Sequence, residues 1–210
     1  MSEPNKATVW TGGLILAALA AICTAVVALT HSTTAPRIAA NEQAFLEASL
    51  QPVLGGVAYD GKLSESTIEI QPPHELPGKS AVTVYRVYAD SSPVAALFVV
   101  TAMDGFSGPI KMLIGIGANG AITGTRVLQH RETPGLGDLI EESKSDWILQ
   151  FSDKSLENPD RQMWAIKRDG GTFDQFSGAS ITPRSVVNAV KQTLLYFEDN
   201  RDAVFHQVNE

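Results

Sequence analysis

Between Val9 and Leu29 the chain carries no charged residue, a run of 21 positions against the roughly 20 a helix needs to cross a hydrocarbon core. The nearest flanking charges are Lys6 and Arg37. Gly12, Gly13 and the alanines at 17, 18, 20, 21, 25 and 28 give this segment the small-residue surface that lets transmembrane helices pack closely. Trp10 and His31 fall near its two ends, where amphipathic rings sit well. A cleaved secretory signal, with Thr33-Thr34-Ala35 as its cleavage site, is the alternative, but its apolar region normally spans only about 7–15 residues. The reading is an uncleaved anchor in residues 1–35, followed by one domain in residues 36–210. Charge does not fix the orientation, because Lys6 is opposed by Glu3 and Arg37 lies on the other flank.

The part beyond the anchor, roughly 175 residues, is long enough for one well-buried domain. A net charge of −7 leaves no basic surface for nucleic acid. The single cysteine, Cys23, lies inside the apolar run. That excludes an intrachain disulfide and any cysteine-held zinc or iron–sulfur site in the domain. Redox chemistry here would need an organic cofactor.

Ser32–Asn41 reads as a connection, and Glu42–Leu50 as a helix ending before Pro52. Turn residues dominate through Asp60-Gly61 and Pro72-Pro73, with a short strand at Thr67–Ile70. Ala81–Tyr88, Val94–Thr101, Ile110–Ile116 and Ala121–Leu128 read as strands, the last two joined at Asn119-Gly120, a strong hairpin signal. Helices are expected at Leu139–Gln150, with the acidic pair Glu141-Glu142 on a solvated face, and at Pro183–Phe197. Strands in succession followed by helices predict an α+β domain with an antiparallel sheet flanked by helices. Gly115-Ile116-Gly117-Ala118-Asn119-Gly120 matches the dinucleotide-binding pattern letter for letter. That pattern needs a following helix, and a strand is expected there instead.

Two stretches carry chemistry. In Asp174-Gln175-Phe176-Ser177-Gly178-Ala179-Ser180-Ile181-Thr182-Pro183, Thr182 reads as a helix N-cap and Pro183 as the first helical residue. Hydroxyls crowd a glycine turn ahead of a helix N-terminus, where free N–H groups and the helix dipole seat phosphate. A phosphate bonded to Ser180 Oγ would be held by those donors. In Glu132-Thr133-Pro134-Gly135-Leu136-Gly137, the glycines let backbone approach a flat ligand closely, with Leu136 packing on its face. Each stretch alone also reads as ordinary capping or turn chemistry.

Together, Ser-Gly-Ala-Ser-Ile-Thr with its preceding Asp174, and Glu-Thr-Pro-Gly-Leu-Gly about 45 residues upstream, resemble the paired signatures of the covalent FMN-binding domain. With one N-terminal membrane helix, the whole chain is similar to the G subunits of Rnf ion-translocating electron-transport complexes. The C subunit of sodium-translocating NADH:quinone reductase shares the domain but is usually longer. A flavin-free, membrane-anchored assembly protein is the reading from outside this class. The resemblance implies FMN joined through its phosphate to Ser180, where the family motif has threonine, with Thr182 the weaker acceptor. It implies that Ser177 and Gly178 shape the turn, that Ala179 beside them is part of the cofactor-binding motif, and that a flavin transferase using FAD reads Asp174. Glu132, Thr133, Leu136 and Gly137 match the segment that packs on the ring. It further implies a bacterial inner-membrane protein with a periplasmic domain, relaying single electrons among membrane and iron–sulfur subunits between ferredoxin and NAD. No metal ligand set, nucleic-acid partner or stand-alone catalysis is expected.

Overall fold

The computed structural model describes residues 6–59 and 66–206. The expected turn at Asp60-Gly61 and the Glu3 charge lie outside the described residues. The chain divides into two compact units, Met1–Phe45 and Leu46–Glu210. A single helix, α1 (Lys6–Val53), begins in the first and ends in the second. It contains a window apolar and long enough to cross a membrane, whose side chains, including Leu14, Ile22 and Val27, are exposed.

The expected connection at Ser32–Asn41 is helical, and the anticipated domain boundary at residue 35 falls inside α1. Pro36 removes one backbone donor, which weakens but does not stop a helix flanked by good formers. Thr30, Ser32, Thr33 and Thr34 turn their hydroxyls back onto carbonyls three or four residues earlier, so none competes for a cap. Pro52 likewise sits in the last turn rather than beyond it.

In the second unit, strands β1 (Thr67–Ile70), β2 (Val82–Ala89), β3 (Ser92–Ala102), β4 (Ile110–Gly117) and β5 (Ile122–Gln129) form one antiparallel sheet in chain order. Alternation assigns the faces. Val84, Phe98, Met112 and Ile114 point to one side, under helix α2 (Ile181–His206), and are fully buried. Tyr85, Leu97 and Leu113 point to the other and are covered by Leu50, Val53 and Leu54 at the end of α1. Both faces being covered explains why β3 reads as an unbroken apolar run.

The dinucleotide-like glycines belong to this packing. Gly115 and Gly124 face each other across β4 and β5. A Cβ on Gly115 would stand 2.9 Å from Val53 Cγ1, and one on Gly124 2.8 Å from the Val53 carbonyl oxygen. The pair forms a saddle for the last turn of α1, whose Val53 carbonyl accepts from Thr123 Oγ1 at 2.7 Å. Gly120, at φ 85°, closes the hairpin, with Gly117 N–H donating to the Ala121 carbonyl. Only the glycine takes positive φ, the three-residue hairpin with a bulge rather than the two-residue form.

Leu139–Gln150 is not one α-helix. Two short 3-10 segments, Gly137–Ile140 and Asp146–Phe151, flank an open turn. Ser145 Oγ donates to the Leu139 carbonyl at 2.6 Å and accepts from Trp147 N–H, so local side-chain bonds replace the helical ladder. The acidic pair is engaged there: Glu142 pairs with Arg126, and Glu141 with Lys144 and His130. Trp147, Phe151, Trp164 and Phe173 form an aromatic cluster at this end of the domain.

Candidate functional site

The turn after β5 and the turn before α2 meet at a buried carboxylate. Glu132, only 4% exposed, accepts through Oε1 from Ser107 N–H at 3.0 Å and through Oε2 from the Thr182 hydroxyl. One side chain thereby joins the β3–β4 connection, the β5 turn and the first turn of α2. Its own N–H donates to His130 Nδ1 at 3.0 Å. Nδ1 must then be the unprotonated nitrogen, so Nε2 carries hydrogen and donates to Glu141 Oε1 at 2.8 Å.

The Thr133 carbonyl accepts from the N–H groups of both Leu136 and Gly137 at 3.1 Å, and Gly135 takes φ 75°. A Cβ on Gly137 would stand 2.8 Å from Thr182 Oγ1 and 2.9 Å from Glu132 Oε2, so only glycine lets these segments close. Next to this turn, Lys144 bridges Asp138 at 2.8 Å and Glu141 at 2.7 Å. The Lys144 hydrogen bond holds the Asp138 carboxyl below its ordinary value. Burial pushes Glu141 upward, but hydrogen bonds from Lys144 and His130 outweigh it and leave Glu141 low.

On the other side, Phe176 packs against Trp147 at 5.2 Å and its carbonyl accepts from Ala179 N–H at 3.2 Å. Gly178, at φ 80°, occupies the turn position that requires it. The turn delivers Ser180 to the start of α2. The helix begins earlier than expected: Arg184 N–H donates to the Ser180 carbonyl at 3.3 Å, and Ile181 is its first residue. Ser180 rather than Thr182 therefore stands at the cap position, and Pro183 is third in the helix, still within the turn whose N–H groups lack intrahelical acceptors. Thr182, 1% exposed, gives its hydroxyl to Glu132 instead of the helix end.

These segments enclose a cavity of about 150 Å³ lined by Glu132, Thr133, Leu136, Gly137, Gly178, Ala179, Ser180 and Thr182, with Phe106 and Ile181 completing it. Eight of the ten residues singled out from the sequence line it. Ser177 is exposed on the turn outside it. Asp174 also lies outside, exposed, pairing with Lys167 at 2.5 Å while its carbonyl accepts from Trp147 Nε1. Phe106, 66% exposed on the β3–β4 connection, was not anticipated, because no local pattern ties that loop to the site. Nor was Arg168, whose guanidinium donates to Ser180 Oγ at 3.3 Å. The basic pair before Asp169-Gly170-Gly171 was its only sequence trace.

The lining fits the phosphate end of a flavin nucleotide and part of its ring. Leu136, Ile181 and Phe106 present exposed apolar surface for a flat ring. Ser180 Oγ, the leading N–H groups of α2 and the Arg168 guanidinium offer what a phosphate needs.

A family model described as the FMN-binding domain matches residues 105–195, and one described as the RnfG N-terminal region matches residues 1–53. Similar curated proteins are each named as the G subunit of an ion-translocating oxidoreductase complex. One from Escherichia coli K12 is 47% identical, covering 90% of this chain and 91% of its own. One from Vibrio atlanticus is 42% identical, covering 93% of each. One from Pseudoalteromonas atlantica is 39% identical, covering 98% of this chain and 95% of its own.

Proposed function

The chain belongs to the G subunits of ion-translocating oxidoreductase complexes, and from that premise we propose that it carries electrons on an FMN esterified through its phosphate to Ser180. It is an electron-carrying, FMN-binding subunit of a membrane complex. The match to the RnfG N-terminal region favours it over the quinone-reductase C subunit, and the FMN-binding domain disfavours a flavin-free assembly protein.

The observation that carries the choice of acceptor is the contrast between two hydroxyls two residues apart. Thr182 is buried and committed to Glu132, whereas Ser180 lines the cavity, partly open, with Arg168 donating to its oxygen. In the attachment step, Ser180 Oγ bonds to the riboflavin-side phosphorus of FAD. The pyrophosphate bond breaks, AMP leaves with the bridging oxygen, and a flavin transferase takes the hydroxyl proton. Asp174, exposed beside the motif, offers the acidic group that the transferase reads. Ser177 and Gly178 shape the turn that presents the serine.

Bound FMN supplies one-electron transfer, tuned by the groups around its ring. The chain's residues position and shield it: Leu136, Ile181 and Phe106 cover apolar surface, and Glu132 holds the three lining segments in register. Residues 1–35 anchor the chain in the inner membrane of a bacterial cell, with residues 36–210 on the periplasmic side. Electrons pass between iron–sulfur and membrane subunits of the same complex, on the way between ferredoxin and NAD.

The test is in-gel flavin fluorescence of the full-length chain co-expressed with the transferase. The wild-type band fluoresces at about 22.5 kDa, Ser180→Ala is dark, and Thr182→Val stays bright. A fluorescent Ser180→Ala band moves the acceptor elsewhere, and a dark wild-type band refutes the covalent carrier.

A further inference from the structure

We infer that Arg168 is the residue that clasps the phosphate of the tether and so fixes the attached cofactor against its cavity, an inference that rests on attachment at Ser180. Arg168 lies in a loop tied down on every side. Lys167 N–H donates to the Phe173 carbonyl at 2.7 Å and Gly171 N–H to the Ile166 carbonyl at 3.1 Å, while Ile166 and Phe173 are buried in the core. Gly170 closes the loop at φ 86°. A Cβ on Gly171 would stand 2.0 Å from the Ala165 carbonyl oxygen, so only glycine lets the loop close this tightly.

The neighbouring charges are already engaged. Lys167 pairs with Asp174, and Asp169 is held by two hydrogen bonds from Arg184 in the first turn of α2, at 2.5 and 2.9 Å. Arg168 N–H meets Gln175 Oε1 at 3.3 Å, and its guanidinium reaches Ser180 Oγ at the same distance. Lys167 and Arg184 are thus spent on carboxylates, whereas Arg168 is aimed at the acceptor oxygen. An ester at Ser180 replaces the hydroxyl hydrogen with a phosphate carrying a negative charge. Its unesterified oxygens then lie within reach of the planar guanidinium fork on one side and the N–H groups opening α2 on the other. Arg168 is a positioning residue, since it acts through the tether and not on the ring.

The experiment compares full-length wild type, Arg168→Lys and Arg168→Ala, each purified with and without attached flavin. Thermal melting reports whether attachment stabilises the chain, and quenching of flavin fluorescence by acrylamide, a neutral solute, reports how firmly the ring is held. Attachment raises the wild-type melting temperature. In Arg168→Ala that gain is lost and the flavin is about threefold more accessible to acrylamide, whereas Arg168→Lys restores part of both. The unloaded forms of all three melt alike, which separates the tether effect from damage to the loop. Equal gains and equal quenching in wild type and Arg168→Ala overturn the assignment of Arg168 alone. Flavin absent from wild type, or found on another residue, overturns the Ser180 reading with it.

Discussion

At the scale of single residues, Glu132 is the side chain on which the site's geometry depends. Both of its oxygens are bonded, and the partners lie 25 and 50 residues away. Thr182→Val removes one donor and leaves a buried carboxylate oxygen unmatched, a loss of roughly 1–3 kcal/mol. Denaturant unfolding of the unloaded chain reads it, with Thr182→Ser, which keeps the hydroxyl donor, as the comparison. Gly137→Ala forces a methyl group against Thr182 and Glu132 and lowers stability by about 1–3 kcal/mol. The same substitution reduces flavin seating, read by acrylamide quenching. The sequence motif named the residues around the cavity but misjudged what Thr182 does. A hydroxyl followed by proline is the usual picture of a cap, and only the fold brings Glu132 close enough to claim it. Arg168 was illegible for a related reason: its aim comes from the partners taken by Lys167 and Asp169.

At the scale of elements, the strands were legible and the irregular segments were not. The expected Ile110–Ile116 differs from β4 by one residue at one end and Ala121–Leu128 from β5 by one residue at each end, because alternation and the Asn119-Gly120 turn are local signals. The stretch after Gly137 looked helical, yet its polar side chains bond one another and the backbone nearby. Asp138 and Glu141 sit below their ordinary values and Lys144 above its own, through hydrogen bonds between them. Carboxyls lowered on folding contribute stability above their unfolded values, 3.8 and 4.5, and that contribution fades as pH falls through the folded values. A lysine raised on folding contributes below 10.5 and loses it as pH climbs past its folded value. Melting temperature followed from pH 7 to 3 therefore declines less steeply in Lys144→Met than in wild type. An unchanged slope removes Lys144 from the acid response.

For the whole molecule, composition and the uncharged N-terminal run indicated an anchor and one domain, but not that a single helix belongs to both compact units. The connection expected at Ser32–Asn41 and the helix end expected before Pro52 do not interrupt the helix. The far face of the sheet is covered by Leu50, Val53 and Leu54, so the end of α1 is part of the domain core. A chain starting at Leu46 keeps that cover. One starting at Gly55 strips three buried side chains and loses on the order of 5 kcal/mol, at about 1.5–3 kcal/mol each. Circular dichroism melts of the two truncated chains check this, and equal melting temperatures dismiss the helix end as a core element.

The cavity between the two turns is small, about 150 Å³, well short of the roughly 300–1,000 Å³ typical of pockets that engulf a ligand. An FMN held here would rest on the protein as on a ledge rather than be engulfed by it, and its exchange of electrons with a neighbouring redox group would need no lid to open.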